Sequence, residues 1–166
     1  MITPEYVNTM ARYNAWQNQS LINAASLLSA AERDQERGAF FGSIQQTFSH
    51  VLWGDMVWMH RFAGTPLPEA GSISESREMC QNWGMFVEQR ADFDNEILQW
   101  AACVTSEFLS GKLSWYSGAI GAQMTKPISG LVAHMFNHQT HHRGQIHAML
   151  TSEDLETDDT DLFVVL

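Results

Sequence analysis

Residues 127–150, PISGLVAHMFNHQTHHRGQIHAML, decide the fold, because they read as one long helix carrying five of the seven histidines. Pro127 suits a first helical position, where its missing N–H is no loss and its fixed φ is already helical. Advancing about 100° per residue from Ile128, the side chains of Leu131, Val132, Met135, Ile146, Met149 and Leu150 all fall between about 300° and 40°. That arc faces a core. His138 arrives at about 280° and His142 at about 320°, so both stand on the edge of the buried arc, one turn apart. His134 and His141 fall near 240° and 220°, on the flank, and His147 near 100°, on the opposite edge.

A histidine pair spaced i, i+4 can offer two imidazole nitrogens to one metal ion. A site needs at least one more ligand, with a further position for water or substrate if it is catalytic. His50, His60 and the acids are candidates, and spacing does not choose among them; His50 lies outside the main apolar stripe of its own helix. The segment His138-Gln139-Thr140-His141-His142 has no Glu after its first histidine, so the HExxH pattern of zinc proteases, with its adjacent general base, is missing.

Working outward, Thr3, Pro4 and Glu5 supply an N-cap, a first-turn proline and an early acid for a helix running to about residue 29. SAAE at 29–32 resembles a capping box for a short further turn. Ser43 caps a second long helix with the stripe Ile44, Phe48, Val51, Leu52, Met59 and Phe62, ending before GTPLP at 64–68. A third is expected from near Ser74 through Ala101. Residues 106–127 lose the helical period and fill with Gly and Ser, predicting an irregular connection with a small hairpin. The acidic tail ends in an apolar cluster, DLFVVL, expected to dock. The whole describes an all-α, single-domain chain over 1–166, a four-helix bundle with an insertion between its third and fourth helices.

Nineteen acidic against nine basic side chains give a net charge of −10, which opposes a phosphate backbone, so nucleic acid is not an expected partner. The apolar runs are too short and too interrupted to span a bilayer, and MITPEYVNTM does not resemble a secretion leader; a cytoplasmic protein is expected. In that compartment Cys80 and Cys103 stay unpaired, and both are expected to be small buried side chains.

YNAWQNQSL at 13–21, HVLWGDMVWMHRF at 50–62, NHQTHHRGQ at 137–145 and DTDL at 159–162 together resemble the signature segments of the DinB/YfiT-like family of metalloenzymes, in order and across nearly the whole chain. The resemblance implies a four-helix bundle and a divalent metal held by three histidines, one on the second helix and two on the last. Carried over by position, these are His50, His138 and His142. Zinc or nickel is the implied ion, and either is compatible with three imidazoles. Some proteins of this fold are thiol-dependent transferases or isomerases, which implies a metal-dependent transferase or hydrolase acting on a small molecule, with a low-molecular-weight thiol as partner. A homodimer is also implied. The alternative is a non-enzymatic binding or stress-response protein in which the metal only fastens helices together.

Asp55 falls on the apolar stripe of the second helix and must find a partner, for which Arg143, Tyr13 and Asn14 are candidates; a structural hydrogen bond is expected rather than catalysis. Arg143 is expected to pair with an acid, and Gly144 to permit close helix packing. His134, His141, His60 and His147 are expected at exposed or core-edge positions, and Trp16, Trp53 and Trp58 in the core.

Overall fold

A computed structural model describes residues 1–118 and 120–166. Among them are seven α-helices, one two-stranded sheet and a C-terminal 3-10 turn. Four helices are long: α1 (Pro4–Ala25), α3 (Ile44–Ala63), α5 (Trp83–Cys103) and α7 (Ile128–Thr151). Three are short: α2 (Ala30–Asp34), α4 (Ile73–Ser76) and α6 (Ser106–Ser110). The long four form a closed ring of neighbours, since α1 packs on α5 and α7, and α3 packs on the same two.

Local sequence sets most of the boundaries. The Thr3 hydroxyl accepts from the Tyr6 N–H and Pro4 occupies the first turn of α1. Ser29 and Glu32 close both halves of a capping box on α2. The Ser43 hydroxyl accepts from Gln46 N–H at the start of α3, and Gly64, at φ 72°, ends that helix in the left-handed conformation glycine favours. The first helix stops at Ala25 rather than near residue 29: the Leu27 and Leu28 N–H groups bond three residues back, to the Ala24 and Ala25 carbonyls, and the chain tightens into a turn.

The expected third helix begins later than its apolar pattern implies. After the single turn α4, residues 77–82 are not helical, and α5 starts at Trp83 under an Asn82 cap. Side chains of α3 take the backbone groups that a continuous helix would use: Gln45 Nε2 donates to the carbonyls of Cys80 and Gln81, and the Cys80 N–H donates to the Ser49 hydroxyl. Cys80 is accordingly buried outside any helix, while Cys103, at the end of α5, is exposed, contrary to the burial expected of it; both thiols are free.

The expected hairpin is present. Strand β1 (Lys112–Ser117) pairs antiparallel with β2 (Ala122–Pro127), Lys112 opposite Pro127 and Ser117 opposite Ala122. Pro127 closes β2 and sits at the cap of α7 instead of its first turn, and the Ile128 N–H donates to the Gly111 carbonyl. The tail docks, but through polar groups. Tyr13 and Gln17 donate to the carbonyls of Thr160 and Asp159, Trp16 Nε1 donates to the Asp158 carboxylate, and the Asp158 N–H donates to Ser20. Of the terminal apolar cluster, Phe163 and Leu166 stay exposed and Val165 packs against the core. No helix among the described residues is long and apolar enough to cross a membrane.

Candidate metal centre

Seven buried polar side chains, drawn from all four long helices, set the rotation of α3 and α7. Arg90 on α5 donates to Asp55 on α3 at 2.6 Å and to Asp94 on its own helix at 2.8 Å. Gln139 on α7 donates to the other Asp55 oxygen at 2.7 Å, Asn18 on α1 donates to Asp94 at 2.9 Å, and Arg143 on α7 donates to Asn14 on α1. Two carboxylates and two guanidinia balance in charge, which lets the group stay buried. Desolvation alone would lower the Arg90 pKa, but its flanking carboxylates outweigh it and hold it above the ordinary value. Asp55 thus finds Arg90 and Gln139, not Arg143, Tyr13 or Asn14, and Arg143 binds an amide rather than an acid.

These anchors stand beside the histidines. Gln139 follows His138 and Arg143 follows His142, so fixing the two inward side chains turns both imidazoles toward α3. On α3, Gly54 precedes Asp55, and a Cβ at Gly54 would lie 2.9 Å from His138 Cε1. The missing side chain lets the His138 ring lie against the α3 backbone. Gly144, by contrast, faces open space and packs against nothing, contrary to the role expected of it.

The result is a compact set of His50, His138 and His142, each able to offer one nitrogen with all three nitrogens within 4.8 Å of one another. His50 Nε2 and His138 Nε2 are 3.1 Å apart. Two imidazoles on a tetrahedral ion with bonds of about 2.0–2.1 Å would stand about 3.3 Å apart, close to that separation.

Hydrogen bonds fix which nitrogens are free. Ser76 gives its own hydroxyl proton to the Ile73 carbonyl, so at 2.8 Å its oxygen accepts from His50 Nδ1–H. The Gln145 amide oxygen accepts from His142 Nδ1–H at 2.8 Å. Both rings therefore present a bare Nε2, the arrangement seen where an outer partner orients a metal-binding histidine. Burial pushes His50 down to about 3, with His138 and His142 adding to the shift, and burial pushes His138 to about 3 as well. His142 is also lowered, chiefly by burial. All three are neutral at pH 7, as ligation requires.

Aromatic rings close the surroundings of His50. Phe41 stacks on it with centroids 3.8 Å apart, and Trp53 lies at 5.6 Å with its Nε1 donating to the Ala70 carbonyl. The other histidines take separate places. His134 and His141 are exposed, His60 Nδ1 donates to the Thr65 carbonyl, and His147 Nδ1 bonds with Thr157. Trp16, Trp53 and Trp58 are half-buried rather than core.

Comparison with known proteins bears on the family and the fold. The sequence profile described as "DinB family" matches residues 1–153. The chain belongs to the DinB family. It is similar to Protein DinB of Bacillus subtilis (strain 168), with 28% identity over 159 residues, covering 95% of this chain and 91% of that one. It is similar in fold to the crystal structure of a DinB-like protein from Bacillus cereus ATCC 10987, with a TM-score of 0.61 and 18% identity over 87% of this chain and 90% of that one. In this DinB-family chain, two of the segments that carried the resemblance meet each other, since Tyr13, Trp16, Gln17 and Ser20 bond with Asp158, Asp159 and Thr160.

The sequence pattern had not exposed Gly54, Ser76, Phe41, Arg90 or Gln139. One signal was available for Gln139: at about 20° on the α7 wheel, it stands in the middle of the buried arc. Replacing Gly54 by Ala separates fold from site. Alanine favours a helix interior by about 1 kcal/mol, so the thermal midpoint of the metal-free chain holds or rises. The added methyl displaces His138, and metal affinity, read by competition with a chelator, falls about 10–100-fold, the range for losing an orienting partner.

Proposed function

We propose that this DinB-family protein binds one divalent ion, zinc or nickel, through His50, His138 and His142, and that the bound ion makes it a metal-dependent transferase or hydrolase of a small molecule. One observation carries this reading: three neutral imidazoles converge, two of them with Nδ1 committed and Nε2 bare. A divalent ion there supplies Lewis-acid activation of water, or holds a small thiol as thiolate. The chain's own part is to aim the ligands and limit water. Ser76 and Gln145 orient two rings, Gly54 admits the third, and Phe41 covers one face of His50. The four long helices are read as a four-helix bundle, and the setting as cytoplasmic, where thiols stay reduced. A homodimer belongs to the same reading; sedimentation showing only monomer ends that part.

The location of all three histidines on α3 and α7 also favours a second reading, in which the ion only staples two helices. Exchangeable water on the bound metal and displacement of that water by small thiols support the enzyme. A fully protein-coordinated ion that excludes water supports the staple.

Acid provides a further test. His50 and His138 sit near 3 in the folded chain against 6.5 ordinarily. Between those values the unfolded chain binds protons that the folded chain refuses, so stability rises with pH across that window. The metal-free protein should lose urea resistance as pH falls from about 6.5 toward 3 and show little change above about 7.5. His50→Phe, which removes one of the two groups, should flatten that slope; an unchanged slope counts against neutral, buried imidazoles.

A further inference from the structure

His50, Gly54, Val57, Trp58 and Arg61 share one face of α3, within an arc of about 100°. Past Gly54, an aromatic row continues this face away from the three histidines. His134 lies 6.0 Å from His138, ring centroid to centroid, and Trp58 meets His134 edge-on at 5.3 Å. Trp115, from β1 of the hairpin, meets Trp58 at 5.8 Å. At the end of the row the Arg61 guanidinium carbon stands 4.6 Å over Trp58 and 5.5 Å from the centre of Trp115.

Arg61 differs from the buried arginines. Arg90 has two carboxylates and Arg143 has Asn14 and Thr140, whereas Arg61 makes no ion pair among the described residues. Burial lowers its pKa and no acid acts to raise it, in a chain with nineteen acids against nine bases. An indole face beside a guanidinium takes up none of its N–H donors and leaves its N–H edge free to donate. That edge is a fork shaped for a carboxylate.

We propose that Arg61, held by Trp58 and Trp115, receives the carboxylate of the small molecule whose other end reacts at His50, His138 and His142. This rests on the metal-site reading above. Arg61 comes seven positions after Gly54, which abuts His138, so the carboxylate stands about 10 Å from the reacting end, measured along the helix. The indole faces between them suit an apolar or extended stretch. A single fork matches a monoanion better than a dianionic phosphate, given the overall negative charge.

The test compares mercaptooctanoate with mercaptooctanol, thiols of equal length that differ only in the charge at the far end, by calorimetry on the metal-loaded full chain. The wild type should bind the carboxylate about tenfold or more tightly than the alcohol, as expected for a hydrogen-bonded ion pair. Arg61→Gln should bring that ratio to about one while metal content and affinity for the alcohol hold, and Arg61→Lys should restore part of it. Equal affinities in the wild type, or a ratio untouched by Arg61→Gln, overturn the proposal; the latter with a lower thermal midpoint makes Arg61 a strap between hairpin and helix. Should Arg61→Gln not fold, wild-type selectivity decides: a preference for the carboxylate that shrinks with salt supports the proposal, and no preference overturns it. If the chain takes up no metal, that reading fails by itself, and octanoate against octanol on the metal-free protein and the same variants decides Arg61.

Discussion

Replacing Arg90 by Met is expected to lower the unfolding free energy by about 3–5 kcal/mol, the range for removing one partner of a buried ion pair. Arg90 is 1% exposed and, among the described residues, is the only cation bonded to either carboxylate, so its loss leaves Asp55 and Asp94 buried with amide donors alone and with Arg143 as the one nearby charge, bonded to neither. Burial already raises both acids, and removing Arg90, which lowers them, raises them further and favours proton uptake. In the folded variant these acids then hold more protons than in the unfolded chain, so the loss of stability relative to the wild type grows as pH rises and shrinks as pH drops toward 5. That slope is opposite in sign to the one predicted for the histidines. Asp55→Asn, which keeps one acceptor for Arg90 and gives the unpartnered Gln139 Oε1 a donor, should cost markedly less. Urea denaturation at pH 5 and 7.5 measures both; an Arg90→Met protein as stable as the wild type would mean that the network does not hold the helices in place.

The second large effect concerns the ligands. Alanine at His50, His138 or His142 should weaken metal binding by more than the roughly 100-fold that loss of an outer partner can cause, because two imidazoles do not make a site. Alanine at His134 or His141, both exposed and outside the converging set, should leave affinity within a few-fold. Gln139→Leu is an intermediate case: it touches no ligand, yet it releases the bond to Asp55 that sets the rotation of α7, and should weaken binding while all three histidines are intact. Competition with a chromogenic chelator measures the whole series.

The long helices were legible because their cause is local. Thr3, Ser29 and Ser43 cap where their positions imply, and the period of 3.6 turns His138 and His142 inward together on α7. Where the sequence misled, distant side chains had intervened. Met79 stands at helical spacing from Trp83 and Phe86, but Gln45 and Ser49 on α3 capture the backbone of Cys80 and Gln81 between them. His50 could not be joined to the pair by spacing, since it depends on how α3 and α7 face each other, and Arg90 and Gln139 set that. The family resemblance named His50, and its proximity to the other two is a property of the fold. Gly54 was silent for the same reason: its meaning lies in a ring 84 residues further along the chain.

The most direct measurement is cobalt(II) loading of the metal-stripped chain, followed by absorption spectroscopy and metal analysis, for the wild type and His138→Ala. The account predicts one ion per wild-type chain, visible bands of a histidine-ligated site that shift when a small thiol is added, and loss of both ion and bands in the variant. A wild type that takes up no ion, or a His138→Ala protein that keeps a full equivalent with unchanged bands, would contradict it.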